Sequence, residues 1–413
     1  MLGPYRAVFA RPGTLSFSAA GLLGRMPLAM TGLGIVTMIS QLTGRYGLAG
    51  ALTATLAVAS AVLGPQISRL TDRYGQRRVM RPVTLVSVTA IGLLCLTAGS
   101  GWPRWLLFVF SAVAGCVPNV GSMIRARWAL IYRDDRGRLH TAYSLESVVD
   151  ELCFIFGPIL AIGLSTSLFP EAGPLLAALF LLTGVWWLTS QRATEPPPHP
   201  PGQHTGGAVL RTPGLPWLVA AFVATGALLA GAEVATVAFA EEEGHKSAAS
   251  LVLALWALGS GLAGLVFGLV HPRGPLSRRF LLGVTAMAVS MIPLQLVDSL
   301  PLLAVALFVS GMAIAPTMVT TMAMVEQLVP PARLTEGMTW VSTGLAVGVA
   351  LGSAVTGWVI DASGARAGYA VPGMAGALAA VVALLGYRRL RSVPAREGTN
   401  AGDSGGEKRE HVE

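Results

Sequence analysis

Five charged side chains, Arg25, Glu146, Asp150, Glu151 and Glu233, lie inside apolar runs long enough to have lipid as their main solvent. A charge near a bilayer centre costs about 2.5–3.5 kcal/mol, so each of these needs a partner, a wet cavity or a function. Arg25 lies about ten residues into the first run, and Asp150 and Glu151 lie about ten residues into the fifth, so at about 1.5 Å per residue the three share a depth. Glu146 and Asp150, at i and i+4, share a helical face, and that spacing of like charges is unfavourable unless a cation or a proton intervenes. Arg125 and Arg127, at the end of the fourth run, are within reach of Glu146, or else snorkel to the interface. Two readings stand equally: a carboxylate that couples to protons by exchanging its charge against Arg25 or a substrate, or a static ion-pair network that fastens this part of the chain.

The elements that must hold these charges follow from composition. The chain has 413 residues, 53% of them hydrophobic and only 12% charged, with a mean hydropathy of +0.63. Apolar runs near the length needed to span hydrocarbon recur from Leu15 to Leu390, which a soluble core does not explain. Spans are expected at 15–40, 47–70, 80–99, 104–126, 141–166 and 172–190, then at 215–239, 247–270, 277–297, 301–327, 335–360 and 369–390. The first run is too long for the h-region of a cleavable signal peptide and is expected to direct insertion itself.

A short N-terminus, 1–14, precedes a bundle over 15–190. The Pro-rich connector 191–214, which contains Glu195-Pro-Pro-Pro-His-Pro-Pro, separates it from a second bundle over 215–390. The polar tail 391–413 carries no apolar periodicity and reads as disordered. Of the 29 basic residues, only Arg45, Arg104, Lys246 and Arg366 fall on the outer loops, with Arg25 inside the first span. The positive-inside rule then puts both termini in the cytoplasm. The net charge of +8 thus marks topology and does not suggest nucleic acid, because the basic residues sit at helix ends and form no continuous patch. Cys95, Cys116 and Cys153 all lie in apolar runs and read as small core residues, neither a disulfide framework nor a metal site. No metal or other cofactor is implied. A shift of 200 residues aligns Gly64 with Gly264, Ser68 with Gly268, Arg73 with Arg273 and Arg78 with Arg278, so the two bundles echo each other.

The most specific feature is Gly64-Pro-Gln-Ile-Ser-Arg-Leu-Thr-Asp-Arg-Tyr-Gly-Gln-Arg-Arg78, between the second and third spans. Gly75 permits a tight turn, Ser68 permits close helix approach, and Asp72 can accept hydrogen bonds from arginines or from a helix N-terminus. The alternative is that Arg73, Arg77 and Arg78 act only as topogenic anchors, against which the presence of both Asp72 and Gly75 argues.

This segment resembles the loop motif between helices 2 and 3 of the major facilitator superfamily, Gly-x-Leu-Ala-Asp-Arg-x-Gly-Arg-Arg/Lys. Asp72, Arg73, Gly75, Arg77 and Arg78 match it, Leu70 and Thr71 stand for Leu-Ala, and Ser68 replaces the first glycine. The resemblance implies an all-α membrane fold of twelve helices in two six-helix halves related by a pseudo-two-fold axis. By it, Asp72 latches the cytoplasmic side against the start of the eleventh helix, at Thr335 and Glu336. Helices 1 and 5 are neighbours in that fold, which pairs Arg25 with Asp150 or Glu151. The seventh helix lines the cavity, which would let Glu233 meet substrate or a proton; the other reading pairs it near the outer interface. Drug-antiporter signatures are altered here: Ser111 occupies the place of their helix 4 arginine, and Gly157-Pro-Ile-Leu-Ala-Ile162 keeps only the Gly-Pro of their helix 5 motif.

The resemblance implies secondary active transport by alternating access in the inner membrane of a bacterium. The small-molecule substrate is expected to be apolar or amphipathic, moved by proton-coupled efflux by a monomer in the lipid bilayer. An uptake permease for a small metabolite is the alternative. A polytopic membrane enzyme is a third class, and its nearest approach to a polar cluster is His140 beside Arg133, Asp134 and Asp135, which read as a solvated loop. The sequence contains no P-loop, metal-spaced Cys/His set or nucleophile elbow, so ATP-driven or hydrolytic activity is disfavoured.

Overall fold

The computed structural model describes residues 3–198, 209–245, 248–270, 272 and 274–391. The tail after Arg391, the middle of the connector, Lys246 and Arg273 lie outside the described residues.

After a short helix α1 (Gly3–Val8), the first half comprises α2 (Thr14–Thr43), α3 (Tyr46–Tyr74), α4 (Gln76–Gly99), α5 (Trp105–Ala114), α6 (Val120–Ile131), α7 (Arg136–Ser167) and α8 (Ala172–Ser190). The second comprises α9 (Leu215–Glu242), α10 (Ala248–Leu269), α11 (Leu276–Ser290), α12 (Leu300–Gly311), α13 (Ile314–Leu328), α14 (Leu334–Ser363), the single turn α15 (Ala365–Gly368) and α16 (Ala370–Arg391). Together they form the twelve-span, two-half layout. Ten of the spans are continuous enough in length and hydropathy to cross a membrane. Large apolar side chains on the outer faces, among them Leu28, Val58, Phe154, Leu251 and Trp358, are exposed, as a lipid-facing belt requires.

The structure corrects two spans. The fourth is not one helix over 104–126 but α5 and α6, separated by Gly115–Asn119. Pro118 has no N–H for the Ala114 carbonyl one turn back, which accepts instead from Ser87 Oγ at 2.7 Å, and Asn119 Oδ1 caps α6 by accepting from Ser122 N at 3.0 Å. The ninth span is a helix of 15 residues, α11, followed by a 3-10 turn at Pro293–Gln295. His140 is also corrected: it lies within α7, not in a solvated loop.

Within the first half α2 packs on α7 and α8; within the second, α9 packs on α14 and α16. Between halves the contacts are reciprocal, with α3 against α14 and α7 against α10. The small residues aligned by the 200-residue shift occupy this seam on both sides. Gly64 and Ser68 of α3 lie against Thr339 of α14, while Gly264 and Gly268 of α10 lie against Val148 and Ser144 of α7.

The apolar core is asymmetric. One buried cluster runs through both halves at the end that carries α1 and the last turn of α16, joining Phe17, Trp128 and Tyr143 to Phe222, Phe280 and Val325. Toward the other end, each buried cluster stays within one half: Leu228, Trp256 and Leu307 in the second, Ile35, Leu52 and Leu94 or Met30 and Cys153 in the first. The molecule is therefore sealed at the end bearing the described termini and parted at the other.

Candidate functional site

Arg25 is fixed from α2, its Nε donating to the Gly21 carbonyl one turn back at 3.1 Å. Its two terminal nitrogens grip two carboxylates of α7: Nη2 lies 2.5 Å from Glu146 Oε2 and Nη1 2.8 Å from Asp150 Oδ1. Arg125, from α6, holds the other oxygen of Asp150 at 2.6 Å. The unfavourable i,i+4 repulsion of Glu146 and Asp150 is thus relieved by two interposed guanidinium groups. Glu146 is wholly buried and also accepts from Trp128 Nε1 at 2.7 Å, with Phe17 edge-on to the same indole at 4.5 Å. Asp150 is the open member, its side chain 31% exposed. Two arginines against two carboxylates leave the cluster neutral.

Arg25 sits against Asp150 and Glu146 and away from Glu151. Glu151 is the next residue on α7 and points about 100° around the helix, where its Oε1 accepts from Ser260 Oγ of α10 in the other half at 2.6 Å. Arg125 meets Asp150 instead of Glu146. Arg127, two residues on and facing away, donates to Gln76 Oε1 at 2.8 Å and Thr194 Oγ1 at 2.7 Å. Trp128 and Ser260 carried no signal in the sequence, because a single indole or hydroxyl in an apolar run has no spacing to mark it. Glu233 is exposed on α9 beyond the sealed end, with no ion pair or hydrogen bond among the described residues.

The motif between α3 and α4 forms one side of the seal. Asp72 Oδ2 accepts from the backbone N–H of Glu336, in the first turn of α14, at 2.9 Å, and Ser68 Oγ shares a hydrogen bond with Thr339 Oγ1 at 2.8 Å. A carboxylate there complements both an orphan N–H and the positive end of α14. Gly75, at φ +91°, makes the turn into α4, and the N–H of Arg77 donates to Glu195 Oε1 at 2.9 Å. Arg73 lies over the Tyr74 ring at 5.1 Å, and Arg78 is exposed.

The other side of the seal uses the last carbonyls of α10. Tyr5 Oη donates to Leu265 O at 2.8 Å, Thr141 Oγ1 donates to Gly268 O at 2.9 Å, and His140 Nε2 lies 2.8 Å from Phe267 O. Burial pushes the Tyr5 phenol up to about 12, so it remains a donor throughout the neutral range.

Replacing Asp72 by alanine removes the acceptor at the start of α14. The expected cost to the sealed state is about 1–2 kcal/mol, as for loss of a helix N-cap. Spin labels on the ends of α3 and α14 should then show a longer-distance population that the wild type lacks; an unchanged distance distribution would rule the latch out.

Two helical halves sealed at one end, with charges held inside the span, define a membrane transporter. The sequence profile of the Major Facilitator Superfamily matches residues 17–294 and 234–409, and the chain belongs to that superfamily. No curated protein sequence matches the chain. Among solved structures it is similar to the human organic anion transporter MFSD10 (TETRAN), at 17% identity over 92% of this chain and 100% of that one, with a TM-score of 0.68. It is also similar to a bacterial homologue of the iron transporter ferroportin in its outward-facing state, at 15% identity, 90% and 98% coverage and a TM-score of 0.71. A third is a single-residue variant of the E. coli fucose:proton symporter FucP, at 12% identity, 91% and 99% coverage and a TM-score of 0.65. At these identities the likeness is one of fold.

Proposed function

We propose that this chain is a secondary active transporter working by alternating access. It couples proton movement to efflux of a small apolar or amphipathic molecule, and Asp150 carries the proton. The distribution of basic residues supports a bacterial inner membrane with both termini in the cytoplasm, and a monomer is the working unit. The sealed end is then cytoplasmic, and the gap beyond it opens outward.

The observation that carries this reading is the placement of Asp150. It is held by two arginines and is the only member of its cluster with substantial exposure, while Glu146, beneath it, is sealed. A proton reaching Asp150 would release one carboxylate from Arg25 and Arg125 and leave the cluster one unit positive, a change that the surrounding helices must accommodate. Glu151 stands at the seam, where losing its bond to Ser260 would accompany separation of α7 from α10. Glu233 lines the open gap and contacts substrate.

The test is proton flux in proteoliposomes carrying a pH-sensitive dye, challenged with a panel of apolar drugs and metabolites. Wild type should show substrate-dependent flux, and its sign gives the direction of coupling. Asp150→Asn should reduce the flux to the background of empty liposomes, and Glu151→Gln should slow it without abolishing coupling. Undiminished flux in Asp150→Asn would sink the assignment.

A further inference from the structure

We infer that the sealed end holds a binding site for an oxyanion, a phosphate or phosphate-like group, bridging the two halves at the start of α11. A cleft of about 430 Å³ lies there, walled by α7 from the first half and by α11, α13 and α16 from the second. Tyr143, Ser277 and Arg279 line it, and each brings a buried donor with no partner among the described residues: the phenol Oη, the hydroxyl Oγ and the guanidinium Nε. Tyr143 is fully buried and Ser277 is 4% exposed. The other end of the Arg279 guanidinium donates to the Pro272 carbonyl, which fixes its plane.

Buried donors are almost always satisfied, and leaving one orphaned costs about as much as a lost hydrogen bond. Three at one cleft point to a ligand that accepts hydrogen bonds from several sides. The charge of the cleft gives its sign. Arg136, Arg279 and Arg391 line it, with Glu326 as the opposing acid and His140 as a further polar group.

The backbone agrees. Pro275 precedes α11 and offers no side-chain cap, and Ser277 and Arg279 lie in the first turn of this 15-residue helix. Uncapped N–H groups and the positive end of the helix both favour an anion. Neither the ion-pair cluster nor the latch at Asp72 uses any of these three donors.

Because α7 belongs to one half and α11 to the other, an occupant joins them. It binds the sealed state better than any state in which α7 has moved away, and so holds this end shut. Free phosphate compounds and the headgroup of an anionic lipid share the required chemistry.

The experiment measures the melting temperature of the purified full-length protein under two conditions. One titrates inorganic phosphate in detergent against chloride at equal ionic strength; the other compares nanodiscs of phosphatidylglycerol with nanodiscs of phosphatidylcholine. Tyr143→Phe, Ser277→Ala and Arg279→Gln are tested beside wild type. Tyr143→Phe keeps the shape of the core while deleting an unpartnered hydroxyl, so its melting temperature without anion should equal or exceed that of wild type. A phosphate-dependent rise that is lost in Arg279→Gln, and weakened about tenfold in apparent affinity in Tyr143→Phe and Ser277→Ala, identifies a soluble oxyanion ligand. A rise seen only with phosphatidylglycerol, and lost in the same variants, identifies the lipid headgroup. No rise under either condition, or rises equal in all four proteins, overturns the site.

Discussion

Arg25→Met is expected to destabilise the protein by about 3–5 kcal/mol, because it leaves Glu146 charged, wholly buried and without its cation. Asp150 keeps Arg125, but Glu146 keeps only the Trp128 indole and a long contact to Ser18 Oγ at 3.5 Å. Methionine fills much of the arginine's volume, so the loss is chiefly electrostatic. Adding Glu146→Gln to the same chain should recover most of it, since the stranded charge is then gone and an amide can still accept from Trp128. Thermal unfolding of the two single variants and the double variant closes the cycle. Additive losses would show that the two side chains are not coupled across the α2–α7 contact.

Gly348→Val should be as damaging for a different reason. A Cβ at Gly348 would collide with the Val223 carbonyl, and the neighbouring glycines Gly226 and Gly352 meet Leu345 O and Ala227 O in the same way. The backbones of α9 and α14 are therefore in direct contact along the second half, a closeness that only small residues permit. Overpacking typically costs about 1–3 kcal/mol, and here the obstacle is main chain that cannot rotate aside, so the upper end or beyond is expected. Gly357→Val, on the same helix but with open space at its Cβ, is the control and should stay within about 0.5 kcal/mol of wild type. Recovery of monodisperse protein and its melting temperature distinguish the two, and equal behaviour would mean that the α9–α14 contact is looser than it looks.

Hydropathy made the spans and the two-half division legible because lipid requires long apolar helices whatever their side-chain detail. It could not show the interruption of the fourth span. Pro118 and Asn119 are visible there as a weak point, but whether such a helix bends or stops depends on Ser87 offering the freed Ala114 carbonyl a partner from another helix. The charged residues were legible by depth and not by direction. Depth places Arg25, Asp150 and Glu151 at one level, but consecutive residues on a helix point about 100° apart. Glu151 accordingly faces Ser260 across the seam, while Glu146, a full turn from Asp150, joins the cluster. The same rotation separates Arg125 from Arg127. The role of His140 was hidden because its partners are carbonyl oxygens, which every residue has and no sequence pattern advertises.

That use of carbonyls and amides has a consequence for how the two halves can diverge. At the seam, Tyr5, Asp72, His140 and Thr141 of the first half reach Leu265 O, Glu336 N, Phe267 O and Gly268 O of the second. Substitution can erase the side chains on one side of these bonds, but on the other side it can only displace a backbone that the helix itself holds in place. At these four bonds the mutational burden is therefore lopsided: the first half carries the letters that must be kept, and the second half supplies main chain, its own side-chain constraints at the seam lying elsewhere, at Ser260, Thr339 and the close-packed Gly264 and Gly268.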